Sequence, residues 1–254
     1  MCWVVLVLRR NVGLFGAVTY GVGIILGAGV YVLIGSAAGF AGNSLWLSFV
    51  IGALISAFTG LSYAELSAMY PKAAAEYVYV KKAFASELLA FLAGWLIVFS
   101  GVVSISTVSL GFASYLSALS GSPVVLSAVV LLVSLSILNF VGIKESTRVN
   151  MLFTAVEIGG LILVIVLGLS KAGSVDYFDV PSVSGVFAAA ALMFFAYLGF
   201  EDVVNIAEEM KNLEKNLPKA LILSILVTTI FYVLVALSVV NLASWEVLGF
   251  LRLH

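Results

Sequence analysis

Seven apolar runs, most of them 20 residues or longer, follow one another along this chain. They occupy 12–40, 44–70, 87–119, 123–143, 149–170, a sixth run that begins near Ser184 and loses its apolar character at Glu201-Asp202, and 218–242. A helix rising 1.5 Å per residue needs about 20 apolar residues to cross some 30 Å of hydrocarbon. No water pairs with peptide groups there, so a spanning backbone is either helical or closed into a barrel. The runs do not alternate at period two, which selects helices. The chain is 63% apolar and only 10% charged, against about 25% charged for soluble domains. The expected fold is all-α and polytopic, with about seven transmembrane helices in a lipid bilayer.

The polar residues say how those helices are laid out. Residues 1–10 read as a cytoplasmic lead-in; their apolar stretch is too short for a signal peptide, and Arg9 and Arg10 follow it rather than precede it. A short interfacial helix is expected at about 73–86, where Tyr77, Tyr79, Lys81 and Lys82 suit the headgroup layer. With the N-terminus inside, ten of the twelve basic residues are cytoplasmic, and only Lys171 and Arg252 are not. The positive-inside rule therefore predicts a cytoplasmic N-terminus. Cys2 and His254 are the only residues of their types, so no intrachain disulfide, zinc site or Ser-His-Asp triad is expected. No cofactor and no nucleic-acid partner is expected either.

Two runs contain signs of a broken helix. In the first, Gly21, Gly23, Gly27 and Gly29 fall within nine residues, and each glycine weakens a helix by about 1 kcal/mol relative to alanine. One reading is close packing of helices through small residues. The other is an unwound stretch at Gly27-Ala28-Gly29, whose freed amides and half-helix dipole would hold a carboxylate. In the sixth run, Phe194-Phe195-Ala196-Tyr197-Leu198-Gly199-Phe200 leads into Glu201-Asp202, after which 203–207 are again largely apolar. Either the span ends at Gly199 with its acids in water, or the helix is interrupted there. In the second case its free carbonyls would accept an ammonium group, and Phe195, Tyr197 and Phe200 would shape a side-chain pocket.

Three acids bear on function. Glu157 lies inside the fifth run, where a charge costs at least ~2.5–3.5 kcal/mol and belongs against the bundle interior. It is a candidate for ion coupling, or a side chain reaching water or Arg148 near the cytoplasmic end. Glu201 is the second ion-coupling candidate. Glu65, near the end of the second run, reads as a structural residue of the cytoplasmic face, bonded to a neighbouring helix end. The seventh run has no lysine in its interior, which argues against a retinal-binding receptor, the rival seven-helix class.

Four segments together resemble the amino acid–polyamine–organocation (APC) family of transporters. They are Gly23 to Tyr31; Ser62-Tyr63-Ala64-Glu65-Leu66 with Tyr70-Pro71 and Tyr77-Val78-Tyr79; Phe194 to Glu201; and Ala207-Glu208-Glu209-Met210-Lys211-Asn212 through Asn216-Leu217-Pro218-Lys219-Ala220. The resemblance implies an amino-acid permease of the plasma membrane, driven by protons or sodium, with two inverted five-helix repeats. On that pattern residues 11–172 form the first repeat and 173–254 part of the second. Amides around Gly27, Ala28 and Gly29 would bind the substrate carboxylate. Carbonyls near Ile24, Ile25, Phe195 and Ala196 would bind its ammonium group. Many relatives carry lysine where Glu157 stands, which leaves the coupling ion open. The chain holds seven of the family's ten or more helices. It is therefore expected to be part of a longer transporter, or to need a second chain supplying helices 8–12. The alternative is a non-transporting seven-helix subunit.

Overall fold

The computed structural model describes residues 11–70, 75–141 and 143–250. The lead-in at 1–10 and the ends of two other expected segments fall outside these residues. Each of the seven apolar runs is helical, and no strand pairs with another among the described residues beyond one isolated bridge.

The first run is two half-helices, α1 (Leu14–Ile25) and α2 (Ala28–Ala41), separated at Leu26 and Gly27. Then come α3 (Leu45–Met69), the short α4 (Ala75–Phe84), α5 (Glu87–Ser120), α6 (Val124–Val141) and α7 (Ile143–Leu169). The sixth run is α8 (Val183–Tyr197), followed by a 3-10 segment at Phe200–Glu209. The chain continues as α9 (Leu213–Leu242) and the short α10 (Trp245–Phe250). Five stretches, 29–69, 87–120, 152–169, 183–204 and 213–242, are long and apolar enough to cross a membrane. Helices 14–25 and 124–140 are apolar but shorter. The molecule is a multi-pass, all-α membrane protein.

Its core lies where α3, α8 and α9 meet, with α1 and α7 also against α9 and α2 against α8. Lipid is as apolar as leucine, so burying hydrocarbon does not drive these contacts; close backbone approach does. The sequence provides for it on α3, where Ser48, Gly52, Ser56, Gly60 and Ala64 recur every four residues and all are buried. A Cβ added at Gly52 would lie 3.4 Å from the Phe194 nitrogen of α8, and one at Gly60 3.4 Å from Ile225 of α9. Helix α5 packs on both α4 and α6, and it presents exposed Phe91, Trp95, Leu96 and Phe99.

One boundary differs from the sequence expectation, and one open alternative is decided. The seventh helix does not open at Pro218; it begins at Leu213, with Pro218 inside. Asn212, at φ +48, starts the turn, its carbonyl accepts the amides of Lys215 and Asn216, and the Asn216 side chain donates to the Lys211 carbonyl at 2.6 Å. That local network establishes the helix one and a half turns early. The sixth run does not simply end at Gly199 either: the chain continues as a 3-10 helix whose Val203, Val204 and Ala207 are buried. A two-way backbone link then joins its end to the start of the chain, Val12 N–H to Glu209 O at 3.0 Å and Lys211 N–H to Val12 O at 2.8 Å.

Candidate substrate site

The two breaks face each other. A Cβ at Gly29 would lie 3.3 Å from Ala196 Cα and 3.6 Å from the Phe195 ring, and one at Gly199 would lie 3.2 Å from the Ile24 carbonyl oxygen. Gly199 has φ +112, a backbone region that favours glycine, and its would-be Cβ collides with the Ile24 side chain. Glycine is thus required where the second break crosses the first.

Breaking a helix strands its carbonyls. In an unbroken ladder the Ile25 carbonyl would accept from residue 29, and that of Ala196 from residue 200. Here both accept from one group, the hydroxyl of Tyr232 on α9, at 2.6 Å from Ile25 O and 3.0 Å from Ala196 O. The Tyr232 ring is wholly buried, 5.3 Å from Phe49 and 5.3 Å from Tyr197. A hydroxyl carries one proton, so Tyr232 serves the two carbonyls alternately. The sequence reading missed this residue. Its signal was a phenol in the middle of an apolar run, since a buried Tyr hydroxyl needs a partner.

The donors lie at the start of α2. Its N-cap is Gly27, which has no side chain to cap with, so the first amides of α2, from Ala28 and Gly29, have no intrahelical partner. Gly27 itself turns its N–H back to the Ile25 carbonyl at 2.7 Å. Gly27, whose amide is already engaged, thus differs from the other two residues of the break.

The other expected residues take varied places. Phe195 lies over Gly29. Phe200 is buried at the start of the 3-10 segment, edge-on to Tyr63 of α3 with ring centres 6.1 Å apart. Tyr197 is enclosed between α3 and α9, its hydroxyl 3.1 Å from both the Phe49 carbonyl and Thr229 Oγ1. Gly52 leaves the room for that ring. Glu201 accepts the Gly199 N–H at 2.8 Å, capping the break from within it.

Glu157 sits on α7, half-buried, with one carboxylate oxygen enclosed and without a hydrogen-bond partner among the described residues. Its backbone carbonyl accepts from the Tyr31 hydroxyl of α2 at 2.6 Å, and the Tyr31 carbonyl accepts from Tyr115 of α5 at 2.5 Å. The acid thus stands behind the half-helix that opens at Gly27. Glu65 is exposed and has no partner among the described residues. Two residues before it, the Tyr63 hydroxyl donates to Glu76 of α4 at 3.1 Å. Residues two apart on a helix point in different directions, and Tyr63 is the one turned toward α4. Among the described residues no cluster of acids, cysteines and histidines suits a metal ion.

A family model described as amino acid permease matches residues 12–252. The chain belongs to the amino acid permease family. This permease-family chain is 38% identical over 252 residues to the branched-chain amino acid permease BcaP of Bacillus subtilis, covering 90% of this chain and 54% of that protein. It is 34% identical to the methylthioribose transporter of the same bacterium, over 91% and 54% of the two chains. It is 32% identical to the vacuolar cationic amino acid transporter 4 of Arabidopsis thaliana, over 94% and 44%. The permease chain spans about half the length of these relatives. The resemblance read from the four segments is borne out, and with it the all-α polytopic fold.

Proposed function

We propose that this chain supplies the substrate-binding part of a secondary amino-acid transporter of the plasma membrane, with its N-terminus in the cytoplasm. The observation that carries the reading is the pairing of two helix breaks whose stranded carbonyls, of Ile25 and Ala196, share the Tyr232 hydroxyl. An amino acid fits both halves of that arrangement. Its carboxylate meets the amides of Ala28 and Gly29 at the positive end of α2. Its ammonium, with three donors against the one of Tyr232, takes over the carbonyls at the breaks. Phe195 covers the bound molecule. The chemistry is binding and release, not catalysis.

Transport then follows by alternating access, with α1, α2, α3, α8 and α9 rocking against a scaffold that includes α5 and α6. Residues 11–172 act as one five-helix repeat and 173–254 as part of its inverted partner. Coupling runs through Glu157, whose enclosed oxygen lacks a partner and binds a proton, or sodium in its place. Glu201 is the second candidate, although its bond to Gly199 favours a capping role. The relatives' names speak of branched-chain amino acids, methylthioribose and cationic amino acids, so the substrate is decided by assay.

Since the chain spans half of its relatives' length, binding is the activity to measure. The purified chain in lipid nanodiscs is titrated with radiolabelled amino acids, competed by the same compounds as methyl esters and as decarboxylated amines. Displacement by the free amino acid and not by ester or amine supports the reading. Equal displacement by all three, or binding of no amino acid, overturns it.

A further inference from the structure

The elbow between α4 and α5 offers a surface that the substrate site does not use. Helix α4 is packed along its first half, where Tyr79 is buried and Glu76 is bonded to Tyr63. Its end is different: Lys81, Lys82, Ala83, Phe84 and Ala85 are five consecutive exposed residues. At Ala85, φ +48, the chain turns sharply into α5, whose Ser86 cap accepts the Leu89 amide. The turn leaves a cleft of about 350 Å³ lined by Lys81, Lys82, Ala85 and Glu87.

The charges in that cleft do not cancel. Lys81 is paired with Glu87 at 2.6 Å, and Glu87 also accepts from the Tyr77 hydroxyl. Lys82 has no ion-pair partner among the described residues, so one positive charge is in surplus. Beside it Phe84 and Leu88 are 66% and 67% exposed. A surplus cation next to uncovered hydrocarbon, at the membrane end of a transmembrane helix, matches a molecule with an anionic head and acyl chains.

We propose that this elbow binds an anionic phospholipid, with the phosphate on Lys82 and the acyl chains along Phe84 and Leu88. The cytoplasmic leaflet is rich in such lipids, so the placement rests on the orientation proposed above; the binding itself does not. Glu87 limits the preference by holding Lys81 out of the count: one free charge gives a preference for an anionic over a zwitterionic lipid of roughly fivefold.

Native mass spectrometry of the chain, titrated with phosphatidylglycerol and phosphatidylcholine of the same acyl chains, tests this without transport or defined sidedness. The wild type is expected to take its first phosphatidylglycerol about fivefold more tightly. Lys82→Gln brings the ratio near one, Lys82→Arg keeps it, and Glu87→Gln, which frees Lys81, raises it. The double variant Lys215→Gln/Lys219→Gln, which removes two exposed lysines from α9, leaves it unchanged. An unchanged ratio in Lys82→Gln, or an equal fall in the α9 double variant, overturns the proposal. Loss of amino-acid binding with lipid preference intact would instead count against the substrate site.

Discussion

Replacing Tyr232 by Phe removes one oxygen and nothing else. In the wild type that oxygen serves the Ile25 and Ala196 carbonyls from a fully buried position. A buried polar group left without its partner costs about 1–3 kcal/mol. Ile25 keeps a second donor, the Gly27 amide at 2.7 Å, so the loss falls mainly on Ala196, and about 2 kcal/mol is expected. For a chain of this size each kcal/mol moves the melting temperature by roughly 2–4 °C, which predicts a fall of about 4–8 °C. The assay is a thermal melt of the purified chain in detergent, followed by fluorescence-detected size exclusion. Tyr197→Phe is the internal control. Its hydroxyl has a choice of two acceptors, the Phe49 carbonyl and Thr229. The former also belongs to the helix ladder of α3, and the Thr229 hydroxyl donates its own bond to the Ile225 carbonyl of α9. Its loss should therefore cost only about 0.5–1.5 kcal/mol. Melting of Tyr232→Phe within a degree of wild type, or above that of Tyr197→Phe, would refute the idea that this hydroxyl holds the two breaks.

Other consequences are equally direct. Gly199→Ala places a Cβ at φ +112 into Ile24 and is expected to cost more than ~1–3 kcal/mol, read as loss of folded, monodisperse protein. Glu157→Gln should keep the fold and abolish the pH dependence of amino-acid binding between about pH 5 and 8 if the acid carries the coupling proton; a retained pH profile would exclude it. Gly249→Val should undock α10 from α2, because even a Cβ there would lie 2.9 Å from Gly39 Cα; a single cysteine placed at Trp245, with Cys2 changed to Ser, would then react faster with a water-soluble maleimide. The hydrogen bond and charge of Glu87 hold the Lys81 ammonium above the ordinary lysine range. A raised pKa of this kind contributes stability that is complete below the unfolded lysine value and lost as pH rises through the folded one. Neutralising Lys81 should therefore change the melting temperature equally at pH 6 and pH 8.

Much of this architecture was legible before any coordinates, because its strongest signals are local. Apolar length marks each span, and glycine and acid interruptions mark the breaks at 26–27 and 198–199. What was not legible depends on partners far away in the chain. Tyr232 lies 207 residues from Ile25, and nothing in its neighbourhood announces that two interrupted ladders converge on it. Tyr197 is buried beside Gly52, a contact between α8 and α3 that no local pattern announces. Pro218 looks like a helix opener, yet the Asn212 carbonyl and the Asn216 side chain set the start earlier. That Tyr63 reaches Glu76 depends on which side of α3 meets α4.

The central claim is that the gap between α1 and α2 receives the amino acid, and Gly27 is the place to test it. A Cβ there meets nothing nearer than the Ile24 carbonyl oxygen at 3.5 Å, and its extended backbone accepts any side chain. Gly27→Leu should therefore fold normally while filling the gap. The measurement is the equilibrium affinity of this variant for the amino acid that binds the wild type, alongside its melting temperature. A loss of at least tenfold, about 1.4 kcal/mol, with melting unchanged is the predicted result; unchanged affinity would contradict the account.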